Sequence, residues 1–309
     1  MAGKVSLLRS RDMSDALCKF PAARSVGADW VFFSYDSPMS KHARRLTEIL
    51  AQKHFPEDDS VIFDKALKSL QLEMLRIQQG IWHGRQRAIV VFEGFDASGK
   101  GSAIRRLVAR LDPRGIRVHG IGPPDEIERT RHYLDRFWSK LPAPGMIAVF
   151  DRSWYGRVLV ERVEKLTPES RWKEAYQEIN EFEGMLKRDG IDIIKIFLAV
   201  HPGEQLRRFE ERLRNPSKHW KLREEDLRAH RQWKKYVGAS DDLLSRTETK
   251  NCPWNLVPAD SKPYTHQKVL EVVTEGFRHH AKWLERAKES RRTAELRRDL
   301  NELRKIQRK

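Results

Sequence analysis

The chain has 309 residues, enough for one large α/β domain or two small ones. It carries 60 Lys and Arg against 44 Asp and Glu, a formal charge of +16. Such a charge points to a polyanionic partner, but an inert basic surface explains it equally well. Two cysteines are too few for a disulfide framework or a cysteine zinc site. No apolar stretch approaches the ~20 residues of a membrane span, and residues 1–20 lack a signal-peptide core, so we expect a cytoplasmic protein without a membrane partner.

The first half of the chain leads into a glycine-rich loop. Residues 1–60 show scattered Gly, Pro and Ser with weak periodicity and are predicted to be irregular. Apolar residues from Phe63 to Ile77 then recur at three- and four-residue steps, which predicts a helix. Residues 87–93 form a short apolar run rich in β-branched side chains, which predicts a buried strand. The loop at residues 94–101 follows this strand and precedes a predicted helix over residues 102–111.

The second half alternates strand and helix patterns. Strands are predicted over residues 146–150 and 191–200, with a weaker one over 117–121, and a helix over 172–188. This alternation predicts an α/β fold with a parallel central sheet covered on both faces. Residues 204–236 and 267–309 are predicted to be helical, the former with a break at Asn215-Pro216. We therefore divide the chain into an N-terminal extension (1–60), one domain (61–280) and a basic helical tail (281–309).

The loop after the first strand matches most of a Walker A motif, Gly94-x4-Gly99-Lys100. Glycines let the backbone turn so that its N–H groups surround phosphate oxygens, and the next helix adds its positive N-terminal end. Lys100 supplies a mobile charge. Position eight is glycine instead of Ser or Thr, and Asp96 is an additional acid that we interpret as a magnesium ligand or as a base orienting the acceptor. The alternative is a strand-to-helix turn without a ligand. The predicted phosphate-binding residues of the loop are Gly94, Ala97, Ser98, Gly99 and Gly101.

A second acid, Asp151, directly follows the strand at 146–150, where a Walker B aspartate holds Mg²⁺. The alternative is an aspartate that caps a turn. Arg152 and Arg157 follow, and guanidinium groups beside phosphates suit transition-state stabilisation. Trp154 and Tyr155 are predicted to pack rather than to stack on a base. Arg136 is a further candidate for phosphate binding, with a solvated helix face as the alternative.

The basic segment at residues 204–236 follows the third good strand, where nucleotide kinases carry a mobile lid, and we call it the lid. Arg208 and Arg212 share one helical face, and Lys218 and Lys221 come after the break at Pro216. A row of cations suits a long polyanion, and a closing lid excludes competing water. The alternative is a solvated helical face.

Taken together, these residues resemble the family-2 polyphosphate kinases over about residues 60–280. The resemblance is carried by the strings EGFDASGKG (93–101) and FDRSWYGRVLVE (150–161), and by Trp220-Lys-Leu with Trp233 beyond. The family implies a thymidylate-kinase-like, three-layer α/β/α P-loop fold with a helical lid. It also implies Mg²⁺-dependent phosphoryl transfer between polyphosphate and nucleotides, with Mn²⁺ as an alternative metal. Gly101 is normal at its position in this family.

Residue by residue, the resemblance implies that Asp96 and Asp151 are catalytic acids that manage the metal and the acceptor. Lys100 joins the loop glycines at the phosphates. Arginines would hold nucleotide or transferring phosphates (Arg136, Arg152 and Arg157), and lid residues would line the polyphosphate path (Arg208, Arg212, Lys218 and Lys221). The resemblance also leads us to expect a homo-oligomer.

The acceptor is predicted to be AMP, because Phe95 and Gly156 resemble the monophosphate-phosphorylating members, whereas diphosphate members more often carry Arg and Asn. Transfer to ADP or GDP is the alternative within the family. An ordinary ATP-using kinase and a nucleic-acid-binding P-loop protein are the alternatives outside it. No base-reading module is recognisable, so we expect no specific nucleic-acid partner.

Overall fold

The structure is a computed structural model that describes residues 41–51, 60–282 and 291–307. Its strands are β1 (Arg87–Gly94), β2 (Ile116–Gly120), β3 (Ile147–Asp151), β4 (Ile191–Ala199) and β5 (Trp254–Pro258). Its α-helices are α1 (Lys41–Ala51), α2 (Ser60–His83), α3 (Lys100–Val108), α4 (Glu126–Arg129), α5 (Asp135–Trp138), α6 (Val160–Val163), α7 (Glu169–Arg188), α8 (Pro202–Arg214), α9 (Glu224–Arg231), α10 (Trp233–Arg246), α11 (Lys262–Phe277) and α12 (Arg291–Ile306). Four 3₁₀ turns join them: Pro113–Gly115, Trp154–Arg157, Pro216–Lys221 and Arg278–Ala281.

The strands form one parallel sheet in the order β2-β3-β1-β4-β5, which confirms the predicted parallel sheet. β1 is central, with Phe92 beside Asp151 of β3 and Gly94 beside Leu198 of β4. Because parallel strands share their carboxyl edge, the loops after β1 and β3 emerge side by side there. This edge therefore collects the residues that the motifs predicted to work together.

Helices cover both faces of the sheet. Consecutive residues of a strand point to opposite faces, and two neighbours in β4 show this directly. Ile194 packs so closely on α11 that a Cβ on Gly276 would lie 2.5 Å from its Cδ1. Lys195, the next residue, donates to Glu183 of α7 at 2.9 Å. α2 and α3 pack beside α11, and α1 packs on α10, so the chain folds into three layers.

A charged pair lies inside the core between β4 and α7. Lys195 and Glu183 are 0% and 1% exposed. Tyr155 and Trp154 donate to Glu183 at 2.7 and 3.1 Å, and Lys195 also donates to the Thr247 carbonyl at 2.8 Å. The prediction that the Trp-Tyr pair packs instead of stacking on a base is confirmed, because both rings are buried in this network.

We expect Lys195→Met to lower the free energy of unfolding by about 3–5 kcal/mol, because the buried Glu183 carboxylate would lose its countercharge. Urea unfolding at pH 7 measures this change. Lys173→Met on α7 is the matched control, since Lys173 pairs with Glu169 at 2.7 Å with both side chains exposed. The control should lose less than about 1 kcal/mol. Equal losses in the two variants would contradict the special position of the buried pair.

Three sequence predictions need correction. Residues 41–51 are helical, not irregular, because Leu46, Ile49 and Leu50 place one apolar face of α1 on the core. The strand β5 was missed, since its five residues include a polar Asn255 and end in proline. The helix predicted over residues 267–309 is interrupted, because α11 ends at Phe277 and a 3₁₀ turn follows.

The break in the lid at Asn215-Pro216 is confirmed, since α8 ends at Arg214 and the side chain of Asn215 accepts from the Ser217 amide at 3.0 Å. Residues 1–40 and 52–59 of the predicted N-terminal extension lie outside the described residues. The domain boundaries therefore stay predictions. Among the helices that the structure describes, none is long and apolar enough to cross a membrane.

Candidate active site

Two glycines of the glycine-rich loop have backbone conformations that other residues disfavour. Gly94 has a φ of +136°, and a Cβ there would lie 2.3 Å from the Leu198 carbonyl oxygen of the neighbouring strand. Gly99 has a φ of +100° and immediately precedes α3. Both values lie in the region that side chains other than glycine disfavour. The loop also holds Ala97 at a φ of +56°, a conformation of the kind that proteins retain at functional sites.

The loop leaves hydrogen-bond donors without acceptors. Within the described residues, the amides of Ala97, Gly99, Lys100 and Gly101 make no hydrogen bond. The hydroxyl of Ser98 is buried and also has no hydrogen-bond partner among the residues that the structure describes. Buried hydroxyls are almost always paired, and unpaired amides at the start of a helix favour an anion, so the two observations together fit an anion at this loop. This arrangement fits the prediction that the loop binds phosphate oxygens.

Lys100 is the first residue of α3 and is buried beneath the loop. Its Nζ donates to the carbonyl oxygens of Gly94 at 2.8 Å and of Phe95 at 3.0 Å. Burial lowers the pKa of Lys100, and the positive charge of Arg152 acts in the same direction. Three carboxylates around it favour the charged form: Asp96, Asp151 and Glu93. Lys100 thus lies among acidic and basic groups that both motifs contribute.

The two motifs meet in an ion pair. Arg152 Nη2 donates to Asp96 Oδ1 at 2.8 Å, which joins the loop after β3 to the loop after β1. Arg152 has a φ of +65°, which for a long side chain costs about 1–3 kcal/mol. The surrounding structure therefore forces Arg152 into this position. Its half-exposed guanidinium faces the glycine-rich loop at residues 94–101, which we call the phosphate loop.

Asp151 differs from Asp96 in lacking such a partner. Its carboxylate makes no hydrogen bond or ion pair with any residue that the structure describes. A Cβ placed on Gly101 would lie 3.8 Å from Asp151 Oδ2, so the carboxylate stands at the first turn of α3. Ser102 does not share this position, because its hydroxyl donates to the Gly99 carbonyl at 2.9 Å and lies 3.0 Å from His266 Nε2.

These observations test whether a divalent cation fits. Mg²⁺ prefers carboxylate oxygens and is usually held by one or two of them together with phosphates. Asp151 offers a carboxylate without an ion pair, and Asp96 offers one that is paired with Arg152. Both lie beside the donors that fit phosphate. The residues present therefore fit Mg²⁺, and Asp96 and Asp151 are the residues that would hold it.

The other two predicted arginines lie among protein partners. Arg157 pairs with Glu161 at 2.7 Å, hydrogen-bonds Thr167 and lies over the Tyr133 ring at 4.4 Å. Arg136 pairs with Glu128 at 3.2 Å. In the described residues each has a buried Nε without an acceptor, which does not by itself point to a ligand. Their binding of phosphates stays a prediction.

Arg208 lies at the base of the lid and is only 3% exposed. It donates to the Ala97 carbonyl of the phosphate loop at 2.8 Å, and to the carbonyls of Ala259 and Asp260 at 2.7 and 2.8 Å. A further bond of 2.7 Å joins it to Glu204. This geometry fits a residue that positions the loop better than one that lines an open path for polyphosphate.

The remaining lid cations differ in whether their contacts connect them to the loop. Burial lowers the pKa of Arg212, while the nearby charges of Asp226 and Asp96 raise it, so Arg212 lies within electrostatic reach of the loop. Lys218 pairs with Glu211, and Lys221 lies 5.0 Å from the Trp220 ring. Of these three, the described contacts connect only Arg212 with the predicted catalytic residues.

Comparison with known proteins identifies the family. The family model described as polyphosphate kinase 2 (PPK2) matches residues 58–284. The chain belongs to the polyphosphate kinase 2 family. The resemblance read from its motifs is thus confirmed. A crystal structure assigned to polyphosphate kinase 2 from Pseudomonas aeruginosa PA01 superposes with a TM-score of 0.71 at 40% identity, covering 79% of this chain and 53% of that one. The predicted three-layer P-loop fold is confirmed with it.

Relatives of this polyphosphate kinase 2 chain are named for different nucleotides: AMP, ADP, GDP or AMP/ADP. A polyphosphate:AMP phosphotransferase of Pseudomonas syringae pv. tomato is 48% identical over 189 residues, which are 61% of this chain and 38% of that protein. An ADP-polyphosphate phosphotransferase 2 of Rhizobium meliloti is 35% identical over 237 residues, 76% of this chain and 78% of that protein. The chain thus spans about two fifths of the first relative and over three quarters of the second.

Sequence analysis missed two residues that support this polyphosphate kinase 2 site. Glu93 is the penultimate residue of β1, is buried and accepts from Ser153 Oγ at 2.8 Å. An acid at the end of an otherwise apolar strand was the available signal. Gln205 donates to the Asp96 carbonyl at 2.8 Å and lies 2.6 Å from His230 Nδ1 of α9. Its only signal was a position three residues before Arg208 on the same helix.

Glu93 gives a pH-dependent prediction. Burial raises the pKa of Glu93 to about 7 from an ordinary 4.5, while Ser153 and Lys100 lower it. Between these values the folded chain holds more protons than the unfolded chain, so this carboxyl costs stability increasingly as the pH rises. Glu93→Gln removes that cost. We expect the variant to gain on the order of 2 kcal/mol relative to wild type when urea unfolding is moved from pH 5 to pH 8.

The test is whether the stability difference between the variant and wild type changes with pH. A stability difference between Glu93→Gln and wild type that stayed constant from pH 5 to pH 8 would show that Glu93 is ionised throughout. Glu178→Gln is a suitable control, because that carboxylate is partly exposed and lies 3.4 Å from His132 at the surface. It should not reproduce the gain at pH 8.

Proposed function

We propose that this chain transfers phosphoryl groups between inorganic polyphosphate and a nucleotide, with AMP as the acceptor and ADP as the product. The observation that carries the proposal is the meeting of unpaired loop amides, Lys100, Arg152 and two carboxylates at one edge of the sheet. Such a site stabilises charge on phosphate oxygens and needs no covalent intermediate. Family membership supports polyphosphate as the donor.

The chemistry of each residue follows from its position. The loop amides and Ser98 bind oxygens of the phosphates, and Lys100 neutralises the group that moves. Arg152, held by Asp96, directs its guanidinium at the same oxygens. An oxygen of the nucleotide phosphate is already ionised, so it forms the new bond to phosphorus as the bond to the shortened polyphosphate breaks. Mg²⁺ at Asp96 and Asp151, or Mn²⁺ with the same ligands, would supply further positive charge there.

The choice of AMP depends on sequence similarity more than on geometry. Phe95 does not face an acceptor, because its ring packs between Phe197 at 5.5 Å and Trp233 at 4.5 Å. Gly156 has room for a side chain, since a Cβ would only touch Val160 at 3.8 Å. Relatives named for AMP are 48%, 46% and 39% identical and relatives named for ADP are 40%, 38% and 35% identical, which favours AMP by a narrow margin.

The positive charges of the lid favour a long, anionic donor. Arg212 lies near Asp96, and Lys218 and Lys221 extend the row of positive charge beyond the break at Pro216. We propose that the three together line the polyphosphate path, while Arg208 fixes the base of the lid. A cytoplasmic location and a homo-oligomeric state are further proposals from the sequence.

The decisive experiment offers AMP and ADP in separate reactions with polyphosphate and Mg²⁺ but without ATP. Formation of ADP from AMP would support the proposal in full. Formation of ATP only from ADP would keep the polyphosphate-dependent reaction and reverse the acceptor. Activity with ATP as donor and none with polyphosphate would favour an ordinary kinase. Salt-dependent binding of DNA or RNA by a chain without phosphotransferase activity would favour a nucleic-acid-binding protein.

A further inference from the structure

Three metal-binding side chains meet at the edge of the sheet opposite the phosphate loop. Asp192 is the second residue of β4, and Leu198 near the other end of that strand lies beside Gly94. A strand rises ~3.3 Å per residue, so Asp192 is about 20 Å from the candidate active site. His279 and His280, in the 3₁₀ turn after α11, both reach Asp192. The cluster is thus separate from the predicted catalytic acids.

The donor atoms converge as metal ligands do. His279 Nε2 lies 3.0 Å and His280 Nε2 lies 2.9 Å from Asp192 Oδ2, and the three ligand atoms lie within 4.8 Å of one another. In a tetrahedral zinc site with bonds of about 2.0–2.1 Å, neighbouring ligand atoms are separated by roughly 3.3 Å. A small movement of the side chains would therefore place all three around one ion.

The surroundings fix the ligands in place. Lys187 Nζ donates to Asp192 Oδ1 at 2.7 Å, which holds the carboxylate while Oδ2 faces the two imidazoles. His280 is buried, and its backbone is pressed against α2, where a Cβ on Gly80 would lie 2.0 Å from the His280 carbonyl oxygen. A partner that orients a ligating carboxylate, and a rigid backbone beneath a ligand, are features of built metal sites.

We propose that Asp192, His279 and His280 bind one transition-metal ion of the Zn²⁺ class. Two imidazoles with one carboxylate suit Zn²⁺, Co²⁺ or Ni²⁺, whereas Mg²⁺ prefers oxygen ligands alone. Asp192 also lines a cavity of about 610 Å³, from which water can complete the coordination. The ion joins the start of β4 to the turn after α11 and stabilises that corner of the fold.

The experiment uses the full chain after treatment with a chelator, in buffer with excess Mg²⁺ to satisfy the predicted catalytic acids. Zn²⁺ binding is measured by calorimetry, and Co²⁺ binding by its visible absorption. We expect one ion per chain, a higher melting temperature on binding and a tetrahedral Co²⁺ spectrum. His279→Ala should weaken Zn²⁺ binding at least about tenfold, as should Asp192→Asn. Because His279 is 54% exposed, its removal should leave the fold intact.

The matched control is His132→Ala, since His132 is 52% exposed and lies 3.4 Å from one carboxylate, that of Glu178. Its Zn²⁺ affinity should equal that of wild type. The proposal is overturned if the chain binds no stoichiometric Zn²⁺, or if His279→Ala binds it as tightly as wild type. Zn²⁺ binding lost in Asp151→Asn instead would place the ion at the catalytic acids and also overturn it. Polyphosphate-dependent turnover should be unchanged in His279→Ala, so the outcome is independent of the proposed activity.

Discussion

Replacing Asp151 with asparagine is expected to lower kcat of polyphosphate-dependent phosphorylation by about 10²–10³-fold. Asparagine keeps the shape of the side chain but removes its negative charge and one of the oxygens that suit a divalent cation. In the described residues the Asp151 carboxylate makes no direct hydrogen bond, and its charged neighbours Lys100 and Arg152 keep Asp96 beside them. The loss should therefore appear in turnover and in the Mg²⁺ concentration required, with little change in stability.

Initial rates at saturating polyphosphate and AMP, measured over a series of Mg²⁺ concentrations, check this prediction. A melting curve for the same protein confirms that it is folded. Asp189→Asn is the matched control, because Asp189 lies at the opposite edge of the sheet and pairs with Arg87 at 2.9 Å. The control should retain nearly full turnover. An Asp151→Asn variant within about threefold of wild type would remove Asp151 from the mechanism.

The chemistry-bearing loops were the most predictable part of the molecule. A glycine-rich loop and Asp151 each follow an apolar strand, and parallel strands must bring such positions to one edge. The sequence could therefore place Asp96, Lys100 and Arg152 together before any contact was known. The ion pair between Asp96 and Arg152 is the direct outcome.

The functions of the lid arginines were less predictable, because helical spacing shows which residues share a face but not what that face meets. Arg208 and Arg212 share a face at i and i+4. Arg208 is nevertheless buried against the loop carbonyls, whereas Arg212 is partly exposed beside Asp226. The two arginines differ in burial because α8 docks on the phosphate loop and on the residues after β5. That docking depends on contacts between residues about 50 to 110 positions apart, which no local pattern records.

The contacts of α8 also connect the lid to the phosphate loop mechanically. Gln205 holds the Asp96 carbonyl and Arg208 holds the Ala97 carbonyl, so the two carbonyls before Ser98 are fixed by one helix of the lid. Gln205 in turn contacts His230 of α9, and Phe95 packs on Trp233 at the start of α10. A movement of the lid would therefore be transmitted to the loop backbone.

Lys100→Met is expected to lower kcat by about 10³-fold, because methionine fills the same buried space without the charge that lies among the transferring oxygens. The two carbonyls of Gly94 and Phe95 would lose their donor, so a modest loss of stability should accompany the loss of turnover. Turnover by kinetics and unfolding by urea separate these effects. Lys65→Met on α2 is the control, since that exposed lysine belongs to neither motif.

Lys100→Arg tests whether charge alone is sufficient. The guanidinium is planar and larger than an ammonium group, and the site of Lys100 is buried beneath the loop. We expect Lys100→Arg to recover less than about a tenth of wild-type turnover. Wild-type turnover should also decline at a pH below the ordinary lysine value, because burial and Arg152 lower the pKa of Lys100. Full rescue by arginine would show that a positive charge near the loop suffices, and that the buried position of Lys100 contributes nothing to the transfer.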